Sequence, residues 1–166
     1  MDINAIFDNY KRTITEHYFD MSGRVGRSQF WYFVLANFVA AILASIVGAI
    51  LHVPLSELYT LAVLFPATCI GARRLQDIGR NGMLAWVLLI LVAVTQIMGI
   101  LAALTFMFAG FFGLFWVPSL SILGLLSLGV AGVLIYFWCQ PGNPGSNAYG
   151  PPPPVFDPSK PGSPAI

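Results

Sequence analysis

The sequence predicts an all-α membrane protein, with four transmembrane helices, an N-terminal amphipathic helix before them and a disordered Pro-rich tail after them. Two observations carry this reading. Hydrophobic residues fill 57% of the 166 positions and charged residues only 9%, against roughly 25% charged in an ordinary soluble domain. From residue 81 to residue 156 there is no Asp, Glu, Lys, Arg or His. A surface so poor in charge does not stay in water. A bilayer core about 30 Å thick accepts helices of about 20 apolar residues and supplies the apolar solvent they need. A net charge of +1 gives no reason to expect a nucleic-acid partner, so the information lies in where the charges stand along the chain.

Residues 1–22 form the amphipathic segment. Ile3, Ile6, Phe7, Tyr10, Ile14, His17 and Tyr18 recur at three- and four-residue steps, with Asp8, Asn9, Lys11, Arg12, Thr15 and Glu16 on the other side. The spacing predicts a helix whose apolar face rests on lipid or on the base of the bundle. The acidic residues Asp2, Asp8, Glu16 and Asp20 before the first apolar run are unlike a secretory signal, so that run is expected to remain as an anchor.

Residues 23–140 form the transmembrane domain. Gly23 and Gly26 break the first helix, Ser28 offers an N-cap, and Trp31 and Tyr32 suit an aromatic belt at the start of a span over about 30–51. Within it Ala40, Ala44 and Gly48 repeat every four residues, a face that lets another helix approach closely. His52, Pro54, Ser56 and Glu57 make a loop, and a second span over about 58–75 is expected to kink near Pro66. The uncharged block from Met83 to Cys139 is too long for one crossing and long enough for two, at about 84–108 and 118–139. A third crossing of this block is tight but possible. Gly110, Gly113, Trp116 and Pro118 mark the break between the two helices. Residues 141–166 are rich in Pro and Gly, which forbid helix and predict an extended, solvated tail.

Lys11, Arg12, Arg24 and Arg27 precede the first span and Arg73, Arg74 and Arg80 follow the second, while the loop between holds no Lys or Arg. By the positive-inside rule both basic segments and the N-terminus face the cytoplasm. Four crossings return the tail to the same side.

Three motifs, in order around the apolar spans, resemble the family called domain of unknown function 805. Gly23, Arg24, Arg27, Phe30 and Trp31 match its opening Gly-Arg-x-x-Arg-x-x-aromatic-Trp pattern. Arg73, Arg74, Leu75 and Asp77 match a central Arg-Arg-Leu-His-Asp segment, with Gln76 where the family usually has His and Met83 where a Trp often follows. Pro141, Gly142, Gly145, Asn147, Tyr149 and Gly150 match its closing pattern. The likeness runs over about residues 18–152. It implies a small bacterial inner-membrane protein and carries no activity with it.

The stretch RRLQDIGRNG, residues 73–82, concentrates charge in a chain that otherwise avoids it. Arg73 and Asp77 stand four residues apart and are expected to meet on one helix face, an exposed pair contributing a few tenths of a kcal/mol. Gly79 and Gly82 suggest a tight turn with Arg80 and Asn81 at its tip. Arginine's planar fork suits phosphate. Arg24, Arg27, Arg73, Arg74 and Arg80, supported by Asp77 and Gln76, thus form a candidate surface for lipid headgroups or an acidic partner; the plainer reading makes each arginine an independent topology anchor. Cys69 and Cys139 lie in apolar runs with no CxxC and no adjacent His, so neither a disulfide nor a metal site is expected, and no cofactor either. The chain shows no nucleophile beside a base and no phosphate loop, so no enzyme is expected. The expected function is a non-enzymatic scaffold or accessory subunit, contacting membrane lipids, another copy of itself or another membrane protein. The alternative is a small transporter or channel component lined by Thr68, Thr95 and Gln96.

Overall fold

The computed structural model describes residues 3–53 and 55–159; Met1, Asp2, Pro54 and residues 160–166, which the sequence reading places in the first helix, the loop and the tail, lie outside the described residues. The element order is α1 (Ile3–Thr15), α2 (Arg27–Leu51), α3 (Leu55–Asp77), α4 (Leu84–Ala109), a short 3-10 helix (Gly110–Trp116) and α5 (Val117–Cys139). Among the described residues, four stretches are long and apolar enough to cross a membrane: Arg27–Leu51, Leu55–Asp77, Leu84–Phe112 and Leu114–Cys139. The block after Met83 therefore supplies two such helices, not three. The C-terminal ends of α3 and α5 come together, at the basic end of the bundle.

Turn chemistry sets the helix boundaries. α2 stops where His52 takes a left-handed φ of 54° and its N–H bonds back to Gly48 O. Gly48 is required there: a Cβ would stand 2.9 Å from Val53 O and 3.2 Å from Leu55 Cβ, too close for either to stay in place. Ala44 is buried on the same helix and Ala40 is half-buried, so this small-residue stripe lies partly inside the chain's own fold. At the other end of the hairpin, Gly79 adopts φ +74°. Asn81 Oδ1 accepts a hydrogen bond from Met83 N at 2.9 Å and starts α4. α3 runs unbroken through Pro66, whose ring is fully buried.

α3 is the central element. A first cluster joins Val25, Phe30 and Phe33 to Val63 and Ile70 of α3, with Tyr10 and Ile14 of α1 packed against it. A second joins Ala72 and Leu75 of α3 to Ala85 of α4 and Leu134 of α5. Trp138 touches both clusters. Its ring lies against Gly71, where a Cβ would come within 3.0 Å, and its Nε1 donates to Gly71 O at 3.0 Å.

Two expectations are corrected. Asn9, assigned to the polar face of α1, is fully buried, while Ile3 and Phe7 of the apolar set are exposed. The reason is a specific partner: Asn9 Nδ2 donates to Gln29 O at 3.1 Å, and Tyr10 and Tyr59 share a hydrogen bond of 2.7 Å. Asn9 turns inward on this one donor bond to Gln29, its buried Oδ1 having no hydrogen-bond partner among the described residues. The described part of the tail is likewise not a solvated strand. Phe156 is 2% exposed, its carbonyl accepts from Ser28 Oγ at 2.7 Å, and its ring meets Tyr32 edge-on.

Candidate functional site

The basic end is built around one carboxylate. Asp77, at the last turn of α3, lies between two guanidinium groups. Arg24 Nε donates to its Oδ1 at 3.0 Å, and Arg74 Nη1 pairs with its Oδ2. The side chains of Arg24, Asp77 and Arg74 are 1%, 3% and 0% exposed. Two positive charges and one negative are thus shut away from water, an arrangement that holds only when the leftover donors also find acceptors.

Backbone carbonyls supply those acceptors. Arg74 Nε donates to Trp138 O at 3.1 Å and its Nη2 to Gln140 O. These lie at the C-terminal end of α5, where unsatisfied carbonyls carry partial negative charge. Arg24 Nη2 donates to Asn143 O at 2.5 Å, and its Nη1 to Gly145 O at 2.7 Å and Gly150 O at 3.2 Å. The tail answers in kind, with Asn143 N donating to Asp77 O at 2.9 Å and Asn147 Nδ2 to Gln76 O at 2.9 Å. A segment rich in Pro and Gly carries a full set of carbonyls and few obligations of its own. That makes it a natural acceptor for arginine. Gly142 passes so close to the Asp77 carboxylate that a Cβ would overlap it.

The expected pairing of Arg73 with Asp77 is therefore wrong in its partner. Arg74 takes Asp77, three residues on, and Arg73 turns to the α1–α2 connection. There its Nη1 stands 3.9 Å from Asp20 Oδ2 and its carbonyl accepts from Val25 N at 3.3 Å. Nor is the Asp77 pair exposed. Asp20 belongs to a small network of its own, with His17 Nδ1 3.0 Å from its Oδ2 and Ser22 Oγ donating to its Oδ1 at 2.6 Å. Partial burial opposes its charge, but hydrogen bonds from Ser22 and His17 and the nearby Arg73 outweigh it and hold the carboxyl at about 2.

Of the five arginines singled out from sequence, Arg24 and Arg74 are thus enclosed with Asp77, and Arg73 is 9% exposed beside Asp20. Arg27 and Arg80 remain exposed at the rim. Both touch the last turn of α5: Arg27 Nη1 approaches Cys139 O at 3.5 Å, and the Arg80 guanidinium lies 5.1 Å from the Phe137 ring centre. Gln76 is half-buried and contributes its backbone carbonyl. Sequence reasoning assigned no role to Gly142, Asn143 or Trp138. The available signal was stoichiometric: an end with five arginines and two aspartates, Asp20 and Asp77, needs further acceptors, and the following tail offers them.

Of the residues named for a transport path, Thr68 and Thr95 meet no partner on another helix in the hydrogen bonds they make. The hydroxyls of Thr68 and Thr95 each return to a carbonyl of their own helix, at 2.8 Å and 2.7 Å, and Gln96 is exposed on α4.

Comparison with known proteins agrees with the motifs. No solved structure matches the chain. "Inner membrane protein YhaI" of Escherichia coli (strain K12) is 30% identical over 141 residues, covering 83% of this chain and 89% of that protein. "Uncharacterized protein YiiR" of the same strain is 29% identical over 119 residues, covering 70% and 80%. The family described as "Protein of unknown function (DUF805)" matches residues 18–151. That range takes in α2 to α5, both partners of Asp77 and the docked tail as far as Gly150, and the chain is a membrane protein that belongs to this family.

Proposed function

We propose that the protein is a non-enzymatic scaffold or accessory subunit of the inner membrane, crossing it four times with its N-terminus and basic end in the cytoplasm, and that this end holds a rigid basic rim against anionic lipid headgroups. The observation that carries the proposal is the division of labour among the arginines. Arg24 and Arg74 are enclosed with Asp77 and fasten the α1–α2 connection, α3, α5 and the tail together, while Arg27 and Arg80 stay exposed on the same rim. Exposed basic residues beside an anionic leaflet contribute about 1 kcal/mol each. The orientation rests on the distribution of Lys and Arg, absent from the α2–α3 turn and gathered at the opposite end.

The transport alternative draws little support, because Thr68 and Thr95 direct their hydroxyls to their own helices. The test is thermal unfolding in nanodiscs of phosphatidylglycerol and of phosphatidylcholine. The anionic lipid is expected to raise the midpoint for the native chain, and the double variant Arg27→Gln/Arg80→Gln to lose that increment. Equal midpoints in the two lipids for the native chain would overturn the lipid-binding reading.

A further inference from the structure

Resting on that reading, we infer that the rim has one preferred lipid position: a groove along the first turns of α2 that holds a single anionic phospholipid. The groove encloses about 360 Å³ and is lined by Arg27, Ser28, Trp31, Tyr32 and Leu35. Arg27, Trp31 and Leu35 follow one another at four-residue steps on α2, with Ser28 and Tyr32 in the adjoining row, so the groove runs along the helix axis. It is chemically graded. A guanidinium stands at the basic end, two aromatic rings follow, and an aliphatic side chain lies deepest toward the middle of the span. A phospholipid presents the same order, with phosphate first, glycerol esters next and acyl chain last, and Trp and Tyr favour the middle level.

The charge selects an anionic occupant. Arg27 is exposed, and its approach to Cys139 O at 3.5 Å is at the outer limit of a hydrogen bond, which leaves its fork available to grip phosphate oxygens in pairs. The neighbouring polar group does not compete, since Ser28 Oγ is engaged with Phe156 O at 2.7 Å. The wall beside the groove is preset. Gly26 sits against Pro153 and Pro154, and Phe156 abuts Tyr32 at 5.8 Å between ring centres, so the tail fixes the side of α2 from which a headgroup enters. Arg80 lies apart from this groove, over Phe137, and takes no part in it.

The experiment is native mass spectrometry of the full chain in mild detergent, titrated with phosphatidylglycerol, phosphatidylcholine or glycerol phosphate. The expected result is one phosphatidylglycerol held more tightly than the rest, weakened about five- to tenfold by Arg27→Gln and unchanged by Arg80→Gln. Leu35→Phe, which fills the groove without altering charge, should weaken it as well while leaving the thermal midpoint in place. Tight binding that survives Arg27→Gln and is lost in Arg80→Gln would overturn the groove and leave the basic rim standing. Glycerol phosphate binding as tightly as the lipid would show that the chain-binding half of the groove is idle and also overturn it. No preference for phosphatidylglycerol over phosphatidylcholine in the native chain would remove both readings.

Discussion

At the basic end Val25, Phe33, Leu75 and Arg74 are no more than 2% exposed, whereas on the outer reach of the α4–α5 hairpin Ile97, Phe108, Leu125 and Leu128 are all more than half exposed. Both regions belong to helices of membrane length. They differ in what holds them. Lipid is as good a solvent for a leucine as another leucine is, so an apolar hairpin gains little by burying its side chains in protein. A groove of about 520 Å³ runs between α4 and α5 from Leu84 and Phe137 at the basic end to Leu125. A guanidinium or a carboxylate has no such alternative in hydrocarbon. The polar groups at the basic end therefore find one another, and they bring the α1–α2 connection, α3, α5 and the tail with them.

Mutations at the two regions should therefore separate widely in effect. The largest loss is expected for Asp77→Asn, which leaves Arg24 and Arg74 enclosed without a countercharge; breaking a buried pair in this way costs about 3–5 kcal/mol. Thermal unfolding in detergent should show a severe fall in midpoint or failure to accumulate folded protein, and a native-like midpoint would mean that the carbonyls alone satisfy the two arginines. Next comes Gly142→Ala. The added methyl overlaps the Asp77 carboxylate, so the tail must lift or the clamp must shift, at about 1–3 kcal/mol. Limited proteolysis of the tail reads this directly. Leu125→Ala, on the exposed hairpin, is its comparator and should change the midpoint by less than about 0.5 kcal/mol equivalent; similar losses from the two variants would erase the contrast between the regions.

The smallest effect is one of pH. Asp20 holds its proton only below about 2, under its ordinary 3.8. A depressed carboxylate contributes stability that is fully present above the unfolded value and is lost as pH falls through the folded one. The contribution should thus fade between about pH 4 and pH 2, and only weakly, because the side chain keeps 32% of its exposure and is screened by solvent. Asp20→Asn should flatten the midpoint against pH in that window. An unchanged slope would mean that Ser22, His17 and Arg73 do not stabilise the charge.

Hydropathy and the placement of Lys and Arg made the spans and the basic end legible from the chain alone, because transfer to lipid acts on each residue separately and needs no knowledge of neighbours. The turns were legible for a similar reason. Gly79 with φ +74° and Asn81 at the start of α4 are local solutions to local geometry. The motif arginines were also found, together with the aspartate between them. What each of them touches was not. Arg73 and Arg74 are adjacent in sequence and equally charged, and α-helical spacing put either within reach of Asp77. The choice of Arg74 follows from Arg24 entering from the α1–α2 connection and from the carbonyls of Trp138 and Gln140 arriving at the end of α5, partners 53 to 66 residues away. The inward turn of Asn9 and the docking of Phe156 depend in the same way on distant partners, Gln29 and Ser28. Hydrophobic burial is a property of a residue and its solvent, whereas a hydrogen bond or a buried ion pair is a property of two residues in one geometry, which only the tertiary structure decides.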